Sequence, residues 1–385
     1  LDEMTYELET FAQTRKMALI LPCLYSELET EAMPRILAEL SKVTYLHRII
    51  IGLDRADEAQ FRHAKEFFKG LNQNHIVIWN DSPRMLALGA QLKDMGLAPA
   101  EQGKGKNVWS SLGYLIACQD SAVMAIHDCD IVTYTNDLLA RLIYPVANAN
   151  FPYQVAKGYY ARVGSDKLNG RVTRLLVSPL LIALKKVVGD RDYIDYLRAF
   201  RYPLSGEFAM RTNILPDLRI PSDWGLEIGV LSEAWRNLAP KSVCQVEIAD
   251  DYDHKHQDLS EADADAGLNR MSTDICKAIF RKLAADGTVF TPNVFRTLKA
   301  TYYRCALDLL DAYYNDAKMN GLSIDRHKER AIELFTENIM RAGHFFLDNP
   351  HETPFIPTWN RVHAAAPEFL ANLREAAAAD DAEYN

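Results

Sequence analysis

Val123-Met124-Ala125-Ile126-His127-Asp128-Cys129-Asp130 is the stretch that decides the fold. Four apolar residues run into two carboxylates separated by one position. A short apolar run bounded by polar residues reads as a buried, parallel strand. Side chains alternate along a strand, so Asp128 and Asp130 are expected on one face at its carboxyl end, where open α/β sheets hold ligands. Two carboxylates a few ångströms apart repel unless a cation lies between them. A hard divalent ion that also accepts phosphate oxygens, Mg²⁺ or Mn²⁺, meets that need. The plainer alternative has Asp130 capping a turn and Asp128 pairing with a lysine.

The sequence before this stretch repeats one pattern. Met17–Leu21, Ile49–Leu53 and Ile76–Trp79 read as strands with helical segments between them. That alternation indicates an α/β fold with a mostly parallel sheet and helices on both faces. From residue 260 the spacing changes: Phe295, Leu298, Tyr302, Cys305 and Leu309 recur at helical intervals after a Thr291-Pro292 start. The expected division is a catalytic domain over 1–259 and a C-terminal helical subdomain over 260–385, with Ala376–Asn385 fraying at the end.

A net charge of −9 disfavours non-specific binding to nucleic acid, so any phosphate must be held by local basic residues. The six cysteines are scattered without a CxxC pair, as expected of a reduced, cytoplasmic protein. No apolar run is long enough for a membrane span. Two basic stretches stand out. Gly103-Lys104-Gly105-Lys106 precedes a helix over Val108–Cys118 and suits a diphosphate, although a solvated turn would look the same. Gly170-Arg171-Val172-Thr173 opens another helix with free amides, a guanidinium and a hydroxyl, a combination that fits a monoanion or simply a neighbouring carboxylate. Past the last expected strand, Cys244–Ala249, the acidic tract carries His254 and His256. Either could complete a metal site or lie in a solvated loop.

Taken in order, Gly103-Lys104-Gly105, Asp128-Cys129-Asp130, Lys157-Gly158-Tyr159-Tyr160, Gly170-Arg171-Val172-Thr173, Pro203-Leu204-Ser205-Gly206-Glu207-Phe208-Ala209 and Gly225-Leu226-Glu227-Ile228-Gly229 resemble the retaining GT-A glycosyltransferases that make glucosyl-3-phosphoglycerate and their mannosyl-3-phosphoglycerate relatives. The resemblance runs from about Met17 to about Leu259. It implies a GT-A, Rossmann-like fold with a mixed, mostly parallel sheet. It also implies hexosyl transfer from a nucleotide-sugar (UDP-glucose, or GDP-glucose or GDP-mannose) to the 2-hydroxyl of 3-phosphoglycerate, and a homodimer. Pro22, Leu24, Glu27 and Asp54 would line the nucleotide-sugar pocket, and Lys104 would contact the diphosphate. Asp128 would meet the sugar-nucleotide, and Asp130 with His254 the metal, His256 being the rival ligand. Gly170, Arg171 and Thr173 would hold the acceptor phosphate. Leu204 would present its backbone to the reacting sugar, with Glu227 beside sugar and acceptor.

The chain departs from the family pattern at Tyr25-Ser26 in place of Asn-Glu, at Arg55 after Asp54, and at Cys129 where serine is usual. Two other readings compete. A nucleotidyltransferase on a similar sheet would need a glycine-rich first loop that is missing after Leu21, and a non-catalytic sugar-nucleotide binder would have no use for an intact Asp128, Asp130 and Lys104.

Overall fold

The structure is a computed structural model, described here for residues 1–98, 103–161, 163–164, 167–253, 267–324, 328–350 and 357–384. Its centre is a seven-stranded sheet built from β1 (Met17–Leu24), β2 (Leu46–Asp54), β3 (His75–Trp79), β4 (Val123–Ile126), β5 (Val155–Tyr160), β8 (Phe208–Arg211) and β9 (Val243–Ala249). The two-residue strands β6 (Val163–Gly164) and β7 (Lys167–Leu168) form a separate hairpin. The sheet order is β3-β2-β1-β4-β8-β5-β9. Every pairing is parallel except those of β8, which runs antiparallel between β4 and β5. The expected mixed, mostly parallel sheet is present.

Alternation along the strands divides the core in two. Ala18, Ile20, Ile50, Ile76 and Ile78 face one cluster, while Met17, Leu19, Leu21, Ile49, Ile51 and Val77 face the other. Both faces are covered by helices, so β1 carries no polar side chain. Burying each such aliphatic side chain contributes about 1.5–3 kcal/mol, which fixes register strongly: a slip by one residue would exchange the two faces.

Helices dominate the second half. Gly267–Ala285, Pro292–Met319 and Lys328–Asp348 pack on one another, and Thr291 caps the second by accepting from the Val294 amide at 3.3 Å. The Tyr302 hydroxyl donates to the Leu175 carbonyl at 2.5 Å, which makes that tyrosine part of the packing surface.

The expected frayed tail is not found. Phe369–Glu383 is one helix that returns to the sheet, against Pro83–Asp94, Lys104–Cys118 and β3. Ala377 and Asp380 are each 1% exposed, Arg84 Nη1 lies 2.7 Å from Asp380 Oδ1, and the Tyr384 ring meets Trp79 edge-on at 5.7 Å. A run of alanines shows little amphipathic contrast. What holds this helix is contact with residues almost three hundred positions earlier.

Candidate active site

The carboxyl ends of β1, β2 and β4 form one edge, and the site is built along it. Register places Leu24 opposite Asp54 and Ile20 opposite Ile126. The His127 amide continues the ladder by donating to the Ile20 carbonyl at 3.2 Å, and the chain then turns through Cys129 and Asp130. Asp128 and Asp130 therefore share an edge through a turn, not through strand alternation: β4 stops at Ile126. Cys129 points inward at 1% exposure, which leaves both carboxylates half-buried.

Lys104 answers this acidic turn. The helix begins at Lys104 itself, four residues before the expected start, so the lysine sits in its first turn and not in a loose loop. Its Nζ lies 2.6 Å from Asp128 Oδ1 and 3.1 Å from Glu227 Oε1. Burial alone would lower the pKa of this ammonium, but Asp128 and Glu227 outweigh it and hold the pKa well above the ordinary value. Glycine on either side has a steric cause. A Cβ on Gly105 would collide with the Pro221 carbonyl, and one on Gly103 would lie 2.7 Å from the Ser222 carbonyl. The loop leading into the Glu227 helix (Leu226–Asn237) can thus approach closely.

Glu27 Oε2 accepts from the Leu24 amide at 2.8 Å. Its pKa is pushed up to about 7, mostly by burial; the Leu24 amide opposes the shift, while Asp130 and Asp128 add to it. The charges of Asp130 and Asp128 thus reach Glu27, and carboxylate oxygens of this kind suit Mg²⁺ or Mn²⁺. Asp128 and Asp130 would hold the ion, with Glu27 close by. His254 and His256 lie outside the described residues. Asp54, beside Asn80 Nδ2 at 2.7 Å, is raised to about 6 by burial against the hydrogen bonds of Asn80 and Asn107. Arg55 follows it at φ 56°, an uncommon left-handed conformation for a non-glycine residue.

The segment Pro203–Glu207 covers the acidic turn. Lys157, 1% exposed on β5, donates from Nζ to the Ser205 carbonyl and, at 3.1 Å, to Ser205 Oγ. Ser205 Oγ donates to the Gly158 carbonyl at 2.5 Å, and the Gly158 amide to the Glu207 carbonyl at 3.0 Å. Glu207 accepts from the Tyr252 hydroxyl at 2.8 Å. Burial drives the Lys157 pKa down and the Glu207 pKa up. Leu204, half-buried, leads into this clamped segment. The sequence motifs contain Lys157, Ser205, Gly206 and Glu207 but assign them no task, and nothing in the sequence singles out Tyr252.

A second cluster opens the helical stretch from Arg171 onward. Gly170 adopts φ 86°, and its carbonyl accepts from the Arg174 amide at 3.0 Å. Thr173–Val177 is a π-helical turn before the helix Ser178–Val188, a rare geometry that concentrates at functional sites. Thr173 is 5% exposed, and its hydroxyl finds no partner among the described residues.

His127 is fully buried against Tyr134, ring centroids 5.5 Å apart, and burial lowers its pKa to about 4 against the pull of Asp128. Below its ordinary 6.5 the unfolded imidazole takes a proton that the folded one refuses, so this residue weakens the fold as pH falls from 6.5 towards 4. The expected result is that His127→Phe removes about 3 kcal/mol of that acid dependence. Denaturant unfolding of both proteins across that range reads the difference, and parallel pH profiles would refute the assignment.

A mixed sheet of this order, with an acidic turn at its carboxyl edge and a helix-borne lysine on the first carboxylate, defines a metal-dependent glycosyltransferase of the GT-A class. Within that class the chain belongs to the glucosyl-3-phosphoglycerate synthase family. It is 44% identical to the glucosyl-3-phosphoglycerate synthase of Persephonella marina over all of this chain and 95% of that protein. It is 37% identical to that of Methanococcoides burtonii over the same shares. No family model matches the chain. Among solved structures, the Mycobacterium tuberculosis glucosyl-3-phosphoglycerate synthase in complex with Mn²⁺, UDP-glucose and phosphoglyceric acid superposes with a TM-score of 0.54 at 22% identity. That match covers 73% of this chain and 84% of the other, and it supports the fold. Among the described residues no helix is long and apolar enough to cross a membrane.

Proposed function

We propose that this chain transfers glucose from UDP-glucose to the 2-hydroxyl of 3-phosphoglycerate with retention at the anomeric carbon. The observation that carries the reading is Lys104 held between Asp128 and Glu227 at the sheet's carboxyl edge. A cation fixed there, beside carboxylates that can take a metal ion, is where a nucleotide diphosphate would leave. When bound by Asp128 and Asp130, Mg²⁺ or Mn²⁺ supplies neutralisation of the charge that builds on the departing diphosphate. Lys104 adds a second positive charge from a fixed position, so little reorganisation is needed during the reaction. Pro22, Leu24, Glu27 and Asp54 line the nucleotide end.

On the acceptor side, the Gly170 backbone, the Arg171 guanidinium and the Thr173 hydroxyl, unpartnered among the described residues, hold the phosphate. They present the 2-hydroxyl already oriented, which replaces a chance encounter. The Leu204 carbonyl accepts a hydrogen bond from that hydroxyl, and Glu227 lies beside sugar and acceptor. With no enzyme nucleophile assigned, the hydroxyl attacks from the face the diphosphate leaves, and its proton passes to the leaving phosphate oxygen.

Mass spectrometry of products from 3-phosphoglycerate with UDP-glucose, GDP-glucose and GDP-mannose tests the reading. A hexosyl-phosphoglycerate formed best from UDP-glucose is expected. Preference for GDP-mannose would make the chain a mannosyl-3-phosphoglycerate synthase, and pyrophosphate release would make it a nucleotidyltransferase. Arg171→Ala is expected to raise the acceptor KM roughly 10- to 100-fold with little change in kcat, as loss of ground-state binding to a charged group requires; an unchanged KM would remove Arg171 from the phosphate site. A homodimer, testable by light scattering, and a cytoplasmic setting, consistent with six unpaired cysteines, belong to the same proposal.

A further inference from the structure

Cys129 turns away from the exposed edge and meets Cys23, on the neighbouring strand β1. Both thiols are 1% exposed. Their Sγ atoms and a carboxylate oxygen of Glu27 all lie within 4.8 Å of one another. Among the described residues no other three cysteine, histidine or acidic side chains bring ligand atoms so close. Glu27 is oriented for this. One of its oxygens is occupied by the Leu24 amide at 2.8 Å, which fixes the plane of the carboxylate, as outer hydrogen bonds do in metal sites.

The donor set has a chemical preference. Two sulfurs and one oxygen suit a soft or borderline cation, whereas Mg²⁺ and Mn²⁺ choose oxygens. Zinc–sulfur bonds of ~2.3 Å at tetrahedral angles set two sulfurs about 3.8 Å apart, a spacing within the limit observed. Glu27 is half-buried, and a solvent molecule would supply the fourth ligand.

We propose that Cys23, Cys129 and Glu27 form a site for a thiophilic divalent cation such as Zn²⁺ or Cd²⁺, and that its occupation inhibits the enzyme. Binding forms two metal–sulfur bonds and one metal–oxygen bond, breaks two S–H bonds and releases both protons to solvent. Inhibition follows from position: Cys129 lies between Asp128 and Asp130, so drawing it onto an ion moves both carboxylates. The inhibitory part rests on the transferase reading above; the binding part does not.

Cadmium titration of the full chain in excess Mg²⁺, followed by the thiolate-to-cadmium charge-transfer band, is expected to saturate at a single ion per chain. Cys23→Ala and Cys129→Ala should each lose the band. The Cys118→Ser/Cys244→Ser double variant, which changes the two half-buried thiols elsewhere, should keep it. A band surviving in Cys23→Ala overturns the site. Zinc-soaked crystals of the unaltered protein need no variant: an anomalous peak between the two sulfurs supports the site, and its absence there overturns it. Zinc should also slow transfer in Mg²⁺ for the wild type, and Cys129→Ala should lose that inhibition relative to its own rate. A bound ion without inhibition would overturn the inhibitory part alone. A cadmium band in a protein that transfers no sugar would instead indict the transferase reading.

Discussion

Asp130→Ala is expected to lower kcat by roughly a thousandfold or more at saturating substrates, because it removes both a metal ligand and the charge balance of the leaving group. The argument begins with crowding. Burial, with Asp130 and Asp128 adding to it, pushes Glu27 upward, and the edge carries more carboxylates than Lys104 alone offsets. A divalent cation relieves that excess and links it to the diphosphate. Without Asp130, Asp128 stays paired to Lys104 at 2.6 Å, and the pair has less reason to recruit an ion. Calorimetry of UDP binding with and without Mn²⁺ separates the two effects: nucleotide affinity should lose its metal dependence while metal-free binding persists. Asp130 is half-buried in a turn, so thermal unfolding should change little. A variant with wild-type, metal-stimulated turnover would remove Asp130 from the metal site.

Gly206→Ala should cost about a hundredfold in kcat with the fold intact, in line with what displacement of a catalytic group by an ångström does. The added Cβ would collide with Asp128 Oδ2 and sit 2.7 Å from its Cγ. Something must yield, and the backbone is poorly placed to do so. Lys157 and Gly158 hold Ser205 and Glu207 on either side of Gly206. The Asp128 side chain is the movable partner, and it leaves Lys104 when it moves. Gly206 has no positive φ, so alanine brings no backbone strain that could be mistaken for this effect. Steady-state kinetics with thermal unfolding as the control reads it; unchanged kcat would show that Asp128 tolerates the shift, and would weaken its assignment to the donor site.

Much of the sheet is legible locally. The apolar runs at Met17, Ile49, Ile76 and Val123 each carry their own signal, because a strand buried on both faces must be apolar throughout. The acidic pair and Lys104 are legible for a related reason: unusual chemistry is concentrated in a few adjacent positions. Their geometry is another matter. Alternation carried the strand through Asp130, whereas β4 ends at Ile126, where its pairing with β1 and β8 runs out. The loop lysine proved to be a first-turn lysine, since glycine at 103 and 105 lets the helix start against Pro221 and Ser222.

What the chain determined on its own, then, is most of the sheet strands, the helical pattern after residue 260 and the acidic pair with Lys104, each of which depends on neighbours a few residues away. The tertiary structure alone decided that β8 runs antiparallel between β4 and β5, and that the last helix docks beside β3. It also decided that Lys157, Gly206 and Tyr252 converge on Asp128 and Glu207. Those outcomes depend on contacts between residues tens to hundreds of positions apart, and a packed interior selects such contacts by shape and charge that no local pattern encodes.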